Sequence, residues 1–271
     1  MSHIFIKTLK LKKRMVFFLG VATLLLAVSI KTYSSYEHNK YIATLSWSVA
    51  DKVIVIDPGH GGIDPGAVGK NGGVEKDITL SVSKRLANLF GQAGAAVILT
   101  RETDMDLSDP NGGSLISRKR QDLSRRVALA NERNADLFLS IHVNSFISDP
   151  GQHGAQTFSQ PGAKESKMIS EAIQAEIINS LKNTKRKAKE VDYYTTRKSK
   201  VPAVLVEIGF ITNPKEEKLM MDAAYQSKLA WCIYSGVVKY YANKENGSGS
   251  LNEKETIKTF MNNSGKGNII P

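Results

Sequence analysis

Four residues stand out by type and setting: His60, Glu75, His142 and Glu207. His60 follows Val53-Ile54-Val55-Ile56-Asp57-Pro58-Gly59, where β-branched residues read as a buried strand and Asp-Pro-Gly ends it in a tight turn. His142 closes the apolar run that begins at Leu137, and Glu207 lies inside Val204-Leu205-Val206-Glu207-Ile208-Gly209-Phe210. Glu75 comes just before an amphipathic stretch. Ligands of open α/β sheets gather beyond the carboxyl ends of the strands, so parallel neighbours would bring these side chains together. Two imidazoles and one carboxylate form a donor set for a catalytic zinc, with the fourth place left to water. The remaining carboxylate, Glu207, then acts as general base beside that water. By type alone, each His also reads as a hydrogen-bonded core residue, and no His-Glu-x-x-His segment is present. An ionised Glu207 in an apolar strand needs a metal or a cation nearby, and the bland alternative to a base is a salt bridge to a buried arginine such as Arg101.

The elements that must position these residues follow from periodicity. Strands are expected at Val53–Asp57, Ala96–Thr100, Leu137–His142, Gly154–Ser159 and Ala203–Ile208. Between them, apolar residues recur at helical spacing. Ile78, Val82, Leu86, Leu89 and Phe90 follow a cap at Asp77; Leu123, Val127 and Ala130, then Ile169, Ile173, Ile177 and Leu181, then Leu229, Ile233, Val237 and Tyr240 mark three more helices. Strands alternating with helices imply an α/β fold with a mainly parallel sheet and helices on both faces. Arg101 with Asp104, and Arg126 with Asn131, read as structural pairs that also orient substrate. His153 reads as surface. The glycines of Gly59-His60-Gly61-Gly62 fit neither phosphate-binding pattern.

Composition bounds the rest. The 271 residues suit one domain with appendages, and 41% hydrophobic residues suit a globular core. The single cysteine, Cys232, excludes an internal disulfide and a cysteine metal site, and falls in an apolar helical run. The formal net charge is +11. Part of it is Lys7, Lys10, Lys12, Lys13 and Arg14, which precede an uncharged segment from Met15 to Ile30. A basic start before an apolar stretch is an export signal or membrane anchor, and it places the remainder of the chain outside the cytoplasmic membrane. The domains read as an anchor at 1–31, a tether at 32–51, a catalytic domain at 52–242 and a polar, mobile tail at 243–271. More charge lies between Lys182 and Lys200, a solvated face suited to an anionic polymer or membrane; nothing accompanies it that would read nucleic acid.

Taken together, Ile56-Asp57-Pro58-Gly59-His60-Gly61-Gly62, Val74-Glu75-Lys76-Asp77, Leu99-Thr100-Arg101, Ser140-Ile141-His142-Val143-Asn144 and Leu205-Val206-Glu207-Ile208-Gly209-Phe210-Ile211-Thr212-Asn213 resemble the zinc-dependent N-acetylmuramoyl-L-alanine amidases of bacterial cell walls. The resemblance runs in order from Val53 to Tyr241. It implies a six-stranded α/β sheet, zinc on His60, Glu75 and His142, catalysis by Glu207, and substrate contacts from Asn144, Arg101 and Asn213. It also implies a substrate: the amide joining the lactyl group of muramic acid to L-alanine in peptidoglycan. No wall-binding repeat or inhibitory helical insert is evident. A bare catalytic domain behind an anchor is similar to the germination-specific, spore-cortex subgroup, in which peptide removal precedes muramic δ-lactam formation. That implies a place in the cell wall or the forespore intermembrane space, and an activator or delivery protein. The rival classes are a wall peptidase cutting within the stem peptide and a non-catalytic wall-binding protein.

Overall fold

The computed structural model describes residues 12–245. They fall into two units: the helical segment up to Thr44, and the body that begins at Leu45. The first is a single helix, α1 (Lys13–Leu45), so the apolar segment and most of the expected tether are one continuous element. The expected tail beyond residue 245 lies outside the described residues; residues 243–245 are still helical.

The body alternates strands and helices: β1 (Val53–Pro58), α2 (Glu75–Gln92), β2 (Ala96–Leu99), α3 (Leu115–Glu132), β3 (Leu137–Asn144), β4 (Gln156–Ser159), α4 (Lys164–Glu176), β5 (Lys189–Glu190), α5 (Tyr194–Lys198), β6 (Ala203–Phe210), α6 (Pro214–Met221) and α7 (Ala223–Glu245). The sheet has six strands in the order β2-β1-β3-β6-β4-β5. All pairings are parallel except β4 with β6, which is antiparallel. The sequence predicts five of these strands; β5, two residues long, carries no periodic signal. It also places a cap at Asp77, but the helix begins at Glu75, and Asp77 lies in its first turn.

Both faces of the sheet are dry. On one, Val55, Phe138 and Ala203 pack against Val127 and Ala130 of α3. On the other, Ile54, Ile56, Leu137, Leu139, Val204 and Val206 are fully buried under the layer of α2, α4 and α7. This double cover explains why the strands read as continuous apolar runs. The chain leaves β1 for β2 on one side and returns to β3 on the other, so the order reverses between β1 and β3. A crevice opens at such a reversal, at the carboxyl ends of the strands. His60 follows one of those strands and His142 lies near the end of the other.

Candidate metal centre

His60 leaves β1 in a left-handed conformation, φ +62°, which costs a non-glycine residue energy unless its surroundings hold it. Two buried arginines do so. Arg126 Nη1 donates to the Pro58 carbonyl (2.7 Å) and its Nη2 to the His60 carbonyl (2.7 Å). Arg101 donates to the carbonyls of Pro58 (3.0 Å), Gly59 (3.0 Å), Lys76 (2.7 Å) and Thr103 (3.1 Å). Arg126 is balanced by Asp57 and Asp122, each at 2.8 Å. Asp57 also accepts from Thr100 and Ser140. Burial opposes ionisation of Asp57, but Arg126 and these hydrogen bonds outweigh it and hold its carboxyl below the usual range.

The imidazole of His60 is fixed from two sides. Nδ1 lies 3.0 Å from Asp64 Oδ2, and Nε2 lies 3.2 Å from Glu75 Oε1. Lys119 holds the other oxygen of Asp64 at 3.0 Å. Burial works against protonation of His60, but Glu75 and Asp64 prevail, and its pKa is raised.

Glu75 is the first residue of α2, where free N–H groups and the helix dipole favour a carboxylate. Its Oε1 lies 3.1 Å from His142 Nδ1 and accepts the Val143 N–H (2.9 Å); its Oε2 accepts the Ala67 N–H (2.8 Å). These partners, the two imidazoles first, overcome burial and drive its pKa far below the ordinary value. His142 stacks edge-on against His60 with ring centroids 5.0 Å apart. A Cβ on residue 59 would sit 2.5 Å from His142 Cε1, so only glycine lets the β1 turn pass this ring.

The donor atoms of His60, Glu75 and His142 therefore converge, all within 4.8 Å of one another. Bonds of about 2.0–2.1 Å in a tetrahedron put neighbouring donors roughly 3.3 Å apart. The observed 3.1 and 3.2 Å spacings to Glu75 Oε1 fit a zinc ion on these three residues.

Glu207 pairs directly with His142 across β3 and β6, so both side chains leave the same face. Its Oε2 is buried with no hydrogen-bond partner among the described residues. Burial pushes its pKa up to about 7; the two imidazoles pull it down and the charge of Glu75 pushes it up. It makes no salt bridge with Arg101, whose guanidinium is directed to main-chain carbonyls. The expected pairs also differ. Asp104 pairs with Lys76 at 2.6 Å, and Asn131 binds the main chain at Lys198 and Lys200, not Arg126.

Of the other residues singled out by sequence, Asn144 is half-buried, two residues past His142. Asn213 caps α6 and donates to the Gln152 carbonyl (3.2 Å). His153 is exposed. Sequence reasoning missed Asp64, although a carboxylate four residues after His60 was a usable signal, and missed that Asp57 and Asp122 neutralise Arg126.

At the sheet's reversal two imidazoles and a carboxylate converge in an arrangement that could hold a metal ion, beside a half-buried second carboxylate with one oxygen unpartnered among the described residues. Residues 54–239 match the family model of N-acetylmuramoyl-L-alanine amidases, and the chain belongs to this family of cell-wall hydrolases. It is 39% identical over 212 residues to the germination-specific N-acetylmuramoyl-L-alanine amidase of Bacillus subtilis, covering 77% of this chain and 89% of that protein. It is 32% identical to the amidase AmiA of Escherichia coli, over 70% of this chain and 76% of that one. Among solved structures, it resembles the CwlD amidase of Clostridioides difficile, determined in complex with the GerS lipoprotein. That match has a TM-score of 0.68 and 40% identity over 70% of this chain and 98% of that one. The expected fold class, a mainly parallel six-stranded α/β sheet, is borne out.

Proposed function

We propose that this amidase uses zinc held by His60, Glu75 and His142, with Glu207 as its general acid–base, to cut the amide between the lactyl group of N-acetylmuramic acid and L-alanine. The observation that carries the reading is the placement of Glu207. It is a half-buried carboxylate with one oxygen buried and unpartnered among the described residues and a pKa raised to about 7, one strand away from a converged three-donor set. Zinc bound there supplies a Lewis acid and lowers the pKa of its water from ~16 towards ~7.

The residues supply the remainder. Glu207, poised near neutral pH, takes a proton from the attacking water and returns it to the departing alanine nitrogen, since an amide leaves poorly as an anion. The arginine clamp on residues 58–60 and the Asp64 contact keep His60 aimed at the shared donor cluster. Asn144 meets substrate at the mouth, while Arg101 and Asn213 act on it through the main chain they hold.

The likeness to the B. subtilis germination amidase supports a role in spore cortex, with peptide removal ahead of δ-lactam formation. The CwlD–GerS complex supports a lipoprotein partner that activates or delivers this enzyme. The long apolar α1 supports anchoring outside the cytoplasmic membrane.

Glu207→Gln tests the reading. The variant should fold and keep one zinc per chain, because the three donors remain, yet lose at least about a hundredfold in turnover. Mass spectrometry of released muropeptides should show free L-alanine amino termini from the wild type. A Glu207→Gln protein with near-normal turnover would overturn the catalytic assignment, and products cut within the stem peptide would make the enzyme a peptidase.

A further inference from the structure

We infer that Arg186 forms a carboxylate-binding subsite that holds the peptide part of the substrate. The inference rests on the proposed amidase activity and deepens it. Arg186 lies in the segment that leads into β5, and three contacts fix its guanidinium. Nε donates to the His153 carbonyl (3.0 Å), Nη2 donates to Gln152 Oε1 (2.6 Å), and the group lies 4.9 Å over the centroid of the Phe210 ring. Nη1 has no hydrogen-bond or ion-pair partner among the described residues. The buried carboxylate whose field reaches Arg186, Glu216, is already engaged: Oε1 and Oε2 accept the Gly154 N–H (both 3.0 Å), and Oε2 also accepts the Phe210 N–H (2.8 Å). A half-buried cation with a fixed plane and a free edge is therefore left beside the cleft.

Its position relative to the reaction follows from the sheet. Phe210 is three residues past Glu207 on β6, at most about 10 Å along the strand. Gln156, the partner of Glu207 across β4 and β6, donates to the Lys187 carbonyl (2.8 Å) and so draws the Arg186 segment alongside the base. Lys185 and Lys187, exposed on either side of Arg186, add positive charge without an ion-pair partner among the described residues.

The charge of the substrate points the same way. The carboxyl of muramic acid is tied up in the amide to be cut, so the sugar side brings no carboxylate, whereas the stem peptide ends in one. An arginine fork pairs with a carboxylate through two parallel hydrogen bonds, and one whose plane is already fixed loses little freedom on binding. Arg186 thus reads the peptide two or three residues beyond the scissile amide and sets which side of the cleft the leaving peptide occupies.

The test uses the full chain, zinc-loaded in detergent, and two soluble N-acetylmuramoyl peptides that differ only in whether the peptide carboxylates are free or amidated. In the wild type, amidation should raise KM roughly tenfold or more with kcat little changed. Arg186→Gln should show the raised KM with both substrates and no discrimination between them, while Arg186→Lys should recover part of it. Equal kcat/KM for the two substrates in the wild type, or undiminished discrimination in Arg186→Gln, would overturn the subsite. So would an Arg186→Gln protein that loses kcat on both substrates and melts lower, since that pattern belongs to a loop brace over Phe210. Calorimetric binding of the same two peptides separates this idea from the amidase assignment. A wild type that cuts neither peptide but binds only the free acid through Arg186 keeps the subsite and puts the failure in the proposed zinc chemistry or its activation; one that binds both equally sinks the subsite.

Discussion

The centre places opposed demands on its two glutamates, and environment separates their roles. Glu75 lies against two imidazoles, accepts two main-chain N–H groups and stays ionised. Glu207, one strand away from His142, has an oxygen with no partner among the described residues, and burial raises its pKa to about 7. A carboxyl with a raised folded-state pKa binds more protons folded than unfolded. It therefore favours unfolding as pH rises from its ordinary value near 4.5 through 7, by up to about 3 kcal/mol. In chelator, wild-type protein should lose melting temperature between pH 5 and pH 8, and Glu207→Gln should be relatively more stable at the higher pH. A difference between the two proteins that does not change with pH would contradict this. Asp64 offers a second check at the same scale. A carboxylate on the far nitrogen of a ligating imidazole fixes its tautomer and orientation. Asp64→Asn should fold normally yet hold zinc about 10–100-fold more weakly in competition with a chelator. The residues proposed as ligands and base are visible in the sequence because imidazoles and a carboxylate interrupt or follow apolar strands. The arginine clamp escapes notice because its partners are main-chain carbonyls and carboxylates from distant segments; Asp64, four residues after His60, was within reach of the sequence and was overlooked.

Among the elements, α6 has a role that its sequence conceals. Pro214-Lys215-Glu216-Glu217-Lys218 reads as a solvated helix start, yet Glu217 is fully buried. Its carboxylate accepts the Asn71 N–H (2.7 Å), the Asn71 side-chain amide (2.6 Å) and the Gly73 N–H (3.0 Å). It fills the turn between Val68 and Val74, which are bridged to each other, just ahead of the proposed ligand Glu75. A Cβ at residue 69 would overlap the Glu217 carboxylate, which explains the glycine. Its neighbour Glu216 ties Gly154 to Phe210 at the bulge that ends β6. One short helix thus braces both the loop that leads to Glu75 and the strand that carries Glu207. Hydrogen bonds to a charged group contribute about 1.5–3 kcal/mol each, and their loss leaves buried donors unsatisfied. Glu217→Ala should cost about 3 kcal/mol or more by denaturant unfolding and should weaken zinc binding; a variant with wild-type stability would refute the brace. Periodicity finds the long helices and five strands because each buries a stripe or a face. It misses α5, α6 and β5, which are too short for a stripe and are held by side-chain contacts.

At the scale of the whole chain, the question is where the enzyme works. A cell-wall amidase acts outside the cytoplasm, and we propose that the N-terminal segment carries the means of export. Lys12, Lys13 and Arg14 precede a run from Met15 to Ile30 without a charge. Phe17, Phe18, Leu24 and Leu26 are each more than 60% exposed on α1. A helix apolar all round and open to water has its natural surroundings in lipid. The best window of the helix reaches a mean hydropathy of 2.0. The uncharged run spans only about 24 Å, short of the ~30 Å hydrocarbon core. The helix continues unbroken through Lys31, Tyr33 and Tyr36, however, and a lysine that snorkels and tyrosines at the interface complete a span. On this proposal the basic flank stays inside and residue 45 onward lies outside. Two measurements test this placement. A reporter active only in the cytoplasm, fused after Glu245, should be silent, and the chain should sediment with membranes and resist extraction by salt or alkali. Replacing Leu24, Leu25 and Leu26 with Ser should release it from the membrane fraction and turn the reporter on. Reporter activity in the unaltered chain would place the body inside the cell and end the case for export. A silent reporter on a protein that has lost residues 1–29 and is found in the soluble fraction would show instead that Ala27-Val28-Ser29 is cleaved and that α1 serves as a signal, not an anchor.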